Sequence, residues 1–289
     1  MNSQIIEISA TQWQLPNTNP EWITALEQGK VLYFPNLAFT LSDAKQALLT
    51  PDILDAKVRN ISLGIDDQLK GATGSEHTHA LLSSMLKRYR SKSEQLIYSL
   101  LPKYQGALRY APTSYRPKRV EARKQSWRAD DRRMHVDAFP SRPNHGERIL
   151  RVFSNINPDG VPRVWRIGEP FADMIKTMLP RAKPYVPWQA KVLHKLGITK
   201  SLRSEYDHLM LQLHDNMKAD LHYQHNAPQV RMPFAPGSVW VCFSDHALHG
   251  VESGKYMLEQ TFHIAPEHQY NPNISPLAHL TQVMQRELI

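Results

Sequence analysis

His135 and Asp137, separated only by Val136, are residues whose types and spacing could do chemistry. Residues two apart on a β-strand share a face, so the pair can present an imidazole and a carboxylate side by side. Far downstream, Ser244-Asp245-His246-Ala247-Leu248-His249-Gly250 offers a third ligand, His246 or His249. Two histidines and one carboxylate on one face of a metal leave positions open for O2 and a co-substrate, the arrangement of non-haem Fe(II) oxygenases.

A His-x-Asp triplet is short, and with 14 histidines in the chain its context has to decide. Two other histidine pairs compete with it. His77-x-His79 could share a strand face, but Glu76 is the one carboxylate that stands out beside it. His222 and His225 are three apart, yet Asn226-Ala227-Pro228 argues for a loop there and for ordinary surface histidines.

The elements that must position the triplet are legible in outline. Glu21–Glu27 predicts a short helix ended by Gly29, and Val31–Phe34 a strand closed by Pro35. Ser42 opens a helix through Leu49, and apolar residues recur at helical spacing from His79 to Leu101. Strands follow over 148–155, 163–167, 238–243 and 256–264, with turns at Pro143–Gly146, Asn157–Gly160 and Pro236-Gly237. Phe171–Leu179 and Ser204–Lys218 predict helices, and the proline- and lysine-rich 180–203 an insertion.

This order predicts an α+β fold with a double-stranded β-helix (jelly-roll) core over 126–270, carrying a helical insertion near 171–235. A helix-rich part over 1–125 packs on the core and a tail helix occupies 271–289, all as one integrated domain. In that architecture His135-x-Asp137 precedes a long strand and His249 follows one, at positions where distant strands converge on one mouth.

The 289 residues suffice for a sizeable core, and 41% hydrophobic with 21% charged residues is ordinary for a folded protein. The single cysteine, Cys242, excludes an internal disulfide and a cysteine-cage zinc site. No signal peptide is evident at the N-terminus, and no stretch approaches the roughly 20 apolar residues of a membrane span. A net charge of +8 favours anionic partners. Two basic runs, Lys87–Lys92 and Tyr115–Lys124, completed by Arg128, Arg132 and Arg133, suggest a positive rim around a pocket. No nucleic-acid-binding motif accompanies them.

The run His135-Val136-Asp137-Ala138-Phe139-Pro140-Ser141-Arg142-Pro143 resembles the Kdo hydroxylase family. So do Arg148–Phe153, Pro162–Phe171, Tyr206–Lys218 and Leu258–Phe262, and the similarity extends over about residues 20 to 270. The resemblance implies a jelly-roll dioxygenase using Fe(II), 2-oxoglutarate and O2, with ascorbate as reductant in vitro. The implied reaction is hydroxylation of carbon 3 of 3-deoxy-D-manno-oct-2-ulosonic acid (Kdo) on the lipid A precursor of Gram-negative bacteria. The product would be D-glycero-D-talo-oct-2-ulosonic acid (Ko). It also implies His135, Asp137 and His249 as the iron ligands, which favours His249 over His246.

The far carboxylate of 2-oxoglutarate needs a cation, best a guanidinium. Many relatives place an arginine shortly after the distal histidine, but here Lys255 is the one permanent cation from Gly250 to Ile264. Other branches of the superfamily use the strand after His-x-Asp, which points to Arg148 or Arg151. Three apart, these occupy opposite faces, and Arg151 is favoured, with Asn155 as a neighbour. For a Kdo-lipid A glycolipid the candidate substrate contacts are Arg128, Arg132 and Arg133. A chain acting on that lipid is expected in the cytoplasm, peripheral on the anionic inner-membrane surface, where each basic residue gains roughly 1 kcal/mol. The rival readings are an oxygenase of the same fold with another sugar or lipid substrate, and a non-catalytic metal- or sugar-binding β-sandwich.

Overall fold

The computed structural model describes residues 3–122 and 125–289. Its first third runs β1 (Ile5–Glu7), α1 (Pro20–Glu27), β2 (Val31–Phe34), α2 (Asp43–Gln46), β3 (Ile61–Leu63), β4 (Leu69–Lys70), α3 (Glu76–Leu100), β5 (Arg109–Tyr110) and β6 (Thr113–Arg116). The middle holds β7 (Arg148–Asn155), β8 (Arg163–Gly168), α4 (Phe171–Met178), α5 (Pro187–Lys195), α6 (Glu205–Ala219) and α7 (Leu221–Asn226). The chain closes with β9 (Gln229–Phe234), β10 (Val239–Phe243), β11 (His249–Ser253), β12 (Met257–Ile264) and α8 (Pro276–Met284).

Two sheets result. The large one has the order β1-β2-β10-β7-β12-β6-β3-β4, with β5 also on β12, and the small one the order β11-β8-β9. Strands β7 and β10 show why they are central. In β10, Val239, Val241 and Phe243 face one core while Trp240 and Cys242 face another. In β7, Leu150 and Val152 share the first core and Phe153 the second. Such strands are apolar on both faces because both faces are covered.

The core between the sheets is aromatic. Trp240 stacks on Phe234 at 4.2 Å, and Trp165 meets Phe153 edge-on at 4.9 Å. On the outer face of the large sheet lies α3, whose Leu82, Met85, Leu86, Tyr89, Leu96, Ile97 and Leu100 are buried at helical spacing. Ser75 caps α3 by accepting from the Thr78 amide. Truncating Leu96 there to alanine would cost about 2–5 kcal/mol.

The sequence expectations need correction in four places. The first 125 residues are not mainly a helical layer: they supply β1 to β6, and β2 and β6 pair directly with β10 and β12. The insertion holds α4 to α7, but β9 at its end belongs to the small sheet. Asn226-Ala227-Pro228 does not make a loop of His222 and His225; it ends α7, whose cap Asp220 accepts from the Tyr223 amide. Likewise His77 and His79 lie at the start of α3, not on a strand.

The basic run on α3 belongs to the fold. Arg90 donates to the Leu63 and Gly64 carbonyls and to Thr113, Lys87 pairs with Asp67, and Arg88 lies over Phe39. The expected continuation of the second run through Arg123 and Lys124 falls outside the described residues.

Candidate metal centre

His135 and His249 meet as a cross-strand pair that extends the small sheet past β11. Each amide donates to the other residue's carbonyl at 2.9 Å. Two neighbours make this possible. Gly250 leaves room where a Cβ would lie 2.9 Å from the Arg132 carbonyl oxygen. Gln224 takes the place of a missing strand: its side chain accepts from the Met134 amide and donates to the Met134 carbonyl. Two residues further, the Asp137 amide donates to the Ser244 carbonyl at 2.8 Å. Asp137 is thereby tied to the loop that leads into His249.

The side chains converge. His135 Nε2 lies 3.6 Å from Asp137 Oδ1. One ligand atom from each of His135, Asp137 and His249 falls within 4.8 Å of the others, and this is the one such cluster among the described residues. Each imidazole is oriented by its own loop backbone: His135 Nδ1 donates to the Arg133 carbonyl at 2.7 Å, and His249 Nδ1 to the Ala247 carbonyl at 2.9 Å. That fixes the tautomer and leaves Nε2 of each ring as the lone-pair donor. Trp165 stacks on the His249 ring at 5.1 Å and holds its plane.

The electrostatics suit a divalent cation. Burial, aided by His249 nearby, brings His135 down to about 4, and burial lowers His249 as well. Burial is the largest influence on Asp137 and would raise it, but the Arg151 guanidinium, the His135 contact and His249 together outweigh burial and hold the carboxyl well below its usual range. At neutral pH the set is two neutral imidazoles and a carboxylate, the ionisation that metal binding requires. The residues present therefore fit a 2-His-1-carboxylate iron site.

Around the cluster runs a chain of alternating charge. Arg151 lies 3.0 Å from Asp137 Oδ2 and 3.2 Å from Glu259 Oε1. Arg116 lies 3.0 Å from Glu259 Oε2 and 3.7 Å from Asp131. With Arg59 and Arg163 these groups line a cavity of about 190 Å³ that opens from the three ligands.

The residues proposed from sequence separate accordingly. Arg151, the one favoured, faces this cavity. Arg148 does not: it is fully buried on the opposite face of β7, donating to Asp245 at 2.7 Å and stacking over Phe243. Asn155 is also absent from the cavity, because its side-chain Nδ2 donates to the Val161 and Phe234 carbonyls and holds a turn. His246 lies apart as well, its Nδ1 3.1 Å from the Glu27 carbonyl.

None of the three rim candidates lines the cavity. Arg128 pairs with Asp215, Arg132 forks onto Asp130, and Arg133 donates to the Lys218 carbonyl. Acceptors elsewhere in the fold engage Arg128 and Arg133, and a neighbour in sequence engages Arg132.

Sequence reasoning missed Glu259, Arg163 and Trp165, whereas Arg116 belongs to the second basic run expected at the pocket rim and does line the cavity. The alternation Arg163-Val164-Trp165 was a usable signal, since residues two apart face the same way. Glu259, the one carboxylate on β12, was another.

The chain matches the family model for 3-deoxy-D-manno-oct-2-ulosonic acid (Kdo) hydroxylase over residues 10–287. Among solved structures it is similar to the Kdo hydroxylase KdoO, a non-haem Fe(II) and α-ketoglutarate-dependent dioxygenase. The form with α-ketoglutarate and Fe(III) is 44% identical, with 99% of this chain and 97% of that one covered and a TM-score of 0.93. The cobalt(II) form gives 44%, 99%, 98% and 0.95, and the apo form 45%, 99%, 97% and 0.94. No curated protein matches at the same stringency. With a family match over nearly the whole chain and a solved relative of this similarity, the protein belongs to the Kdo hydroxylase family.

Proposed function

We propose that this chain is an Fe(II)- and 2-oxoglutarate-dependent dioxygenase with a double-stranded β-helix core, and that it hydroxylates carbon 3 of Kdo on the lipid A precursor to give Ko. One observation carries the reading: His135, Asp137 and His249 converge at a cavity lined by arginines. Family membership and the α-ketoglutarate, Fe(III) and succinate complexes of KdoO support it.

His135 Nε2, Asp137 Oδ1 and His249 Nε2 would hold the iron. Bound there with 2-oxoglutarate and O2, the metal supplies an oxidant that can attack an unactivated C–H bond. The chain's own residues hold and orient. Arg151 pins Oδ2 of Asp137 and so turns Oδ1 toward the imidazoles. Arg163 and Arg116, on the same cavity wall, offer guanidinium groups for the carboxylates of co-substrate and sugar acid. Trp165, Phe153 and Met257 give that wall its apolar part and keep water from the reacting face.

The acceptor is a lipid-borne sugar acid, so the chain is assigned to the cytoplasmic face of an anionic inner membrane. No helix among the described residues is long and apolar enough to cross a membrane. The test is mass spectrometry of Kdo2-lipid A after incubation with the protein, Fe(II), 2-oxoglutarate and ascorbate in air. One added oxygen on the Kdo moiety, absent without 2-oxoglutarate and absent in Asp137→Ala, is the expected result. Succinate without oxygen added to the glycolipid would retain the oxygenase and reject this substrate.

A further inference from the structure

Helix α5 and the turn after it carry an unusual surface. Trp188, Val192 and Leu196 recur at every fourth position and are 64%, 43% and 68% exposed. At that spacing they form one ridge along the helix. Ile198 beyond it is 53% exposed. The helix meets the protein mainly through its other side, where Ala190 is buried and Leu193 half-buried. Exposed apolar residues scattered singly need no explanation, but a contiguous ridge does.

The surrounding charge has one sign. Between Asp173 and Glu205 the chain carries Lys176, Arg181, Lys183, Lys191, Lys195, Lys200 and Arg203 and no carboxylate side chain. Arg181 is neutralised by Asp220 and Lys176 by Asp173. Lys191 and Lys195 lie beside the apolar ridge on the same helix, four apart, where like charges repel. An apolar ridge edged by such lysines matches an anionic lipid surface, with the ridge among the acyl chains and the ammonium groups at headgroup level.

The segment is also tied to the metal centre. The Lys200 amide donates to the Ser141 carbonyl at 2.9 Å, and Arg203 donates to the Pro140 carbonyl. Pro140 and Ser141 continue the stretch that carries Asp137 and the cavity-lining Phe139. We infer that α5 and the turn to Ile198 dock the protein on an anionic phospholipid bilayer, through Trp188, Val192, Leu196 and Ile198 flanked by Lys191 and Lys195. This deepens the glycolipid reading above and rests on it for its purpose, though not for its test.

The test uses the full chain and substrate-free vesicles of phosphatidylcholine, with or without roughly a third phosphatidylglycerol, in a flotation assay. Partition onto the anionic vesicles is expected, with a blue shift of tryptophan emission, because Trp188 is the exposed tryptophan among the described residues. Lys191→Gln with Lys195→Gln should weaken partition by roughly 30-fold, given the value of a lysine at an anionic surface. Trp188→Ser with Leu196→Ser should weaken it by roughly tenfold or more, with thermal unfolding and activity on detergent-dispersed glycolipid unchanged. Wild-type protein that stays off anionic vesicles at low salt would overturn the inference, as would variants that partition like the wild type. A self-associated wild type made monomeric by Trp188→Ser and Leu196→Ser would overturn it too, by assigning the ridge to a second copy of the chain. Loss of partition with hydroxylation intact bears on the docking face alone, and partition without hydroxylation bears on the proposed reaction alone.

Discussion

His135 and His249 exchange both of their backbone hydrogen bonds, each amide donating to the other's carbonyl at 2.9 Å. Two imidazoles from distant parts of the chain are thus fixed by strand register, with ring centroids 4.6 Å apart. A register fixed by backbone survives the loss of either ring. His135→Ala or His249→Ala should therefore fold with a near-normal Tm, yet bind Co(II) weaker by more than about 100-fold, since even an outer partner of a ligand is worth 10–100-fold. Calorimetric titration of metal-free protein checks this. Tight cobalt binding by either variant would remove that histidine from the ligand set.

Arg151 separates two buried carboxylates, Asp137 and Glu259. Arg151→Met leaves both without that guanidinium and should cost about 3–5 kcal/mol, the usual consequence of breaking a buried pair from one side. Cobalt affinity should fall by about 10–100-fold, because Asp137 loses the group that orients it. Adding Glu259→Gln should restore part of the stability and none of the metal affinity. Urea unfolding and metal titration on the same samples read the two effects separately.

Arg148 gives the contrasting case. It is more deeply buried than Arg151, its partner is Asp245 and it stands off the cavity. Arg148→Met should lower stability by about 3–5 kcal/mol and leave the KM for 2-oxoglutarate unchanged at a temperature where the variant is folded. Arg163→Met, on the cavity wall, should raise that KM with a smaller effect on kcat. A raised KM in the Arg148 variant would contradict its placement.

Buried histidines set the acid limit of the metal-free protein. Burial lowers His135 and His263 to about 4, and lowers His246, His249 and His279 as well. An unfolded histidine titrates near 6.5, so between roughly pH 6.5 and 4 the unfolded chain binds more protons than the folded one. His135 and His263 each contribute stability that is fully present above about pH 6.5 and is lost as pH falls toward 4, and the other three act in the same direction. The unfolding midpoint in urea should drop steadily over that window. His263→Gln, away from the metal centre, should flatten the slope by up to one proton, and an unchanged slope would refute the shift assigned to His263.

Part of the cluster was legible from residue types and strand parity. His135 beside Asp137 needs only the two-residue repeat of an extended chain, His249 over His246 came from the family resemblance, and parity separated Arg148 from Arg151 without saying which faces the cavity. Strands β7, β10 and β12 were visible in their apolar runs, and α6 in its Ser204 cap, where Asp207 closes a capping box. What stayed hidden depends on partners remote in sequence. Arg128 looked available until Asp215 arrived beside it from α6, and Arg116 sat in a basic run whose strand character shows only in its pairing with β12. Strand β9 carries Pro233, which weakens a strand signal, and β11 begins at His249 itself, inside what reads as a loop. Arg163 and Glu259 were not singled out because the partners that let a charged strand residue be buried, the Gly254 carbonyl and the Arg116 and Arg151 guanidinium groups, are tertiary.

The alternating chain from Asp131 through Arg116, Glu259 and Arg151 to Asp137 also fixes an electrical balance. Opposed guanidinium groups keep all three carboxylates ionised, despite the burial that works against it. Four arginines face those three acids across the cavity, a surplus of one positive charge. A divalent metal raises the surplus to three. On the proposed reading, dianionic 2-oxoglutarate cancels two of these, and the third is cancelled only when the sugar acid enters. The cavity reaches neutrality with both substrates aboard, so the attraction for the second grows out of what the first leaves unbalanced.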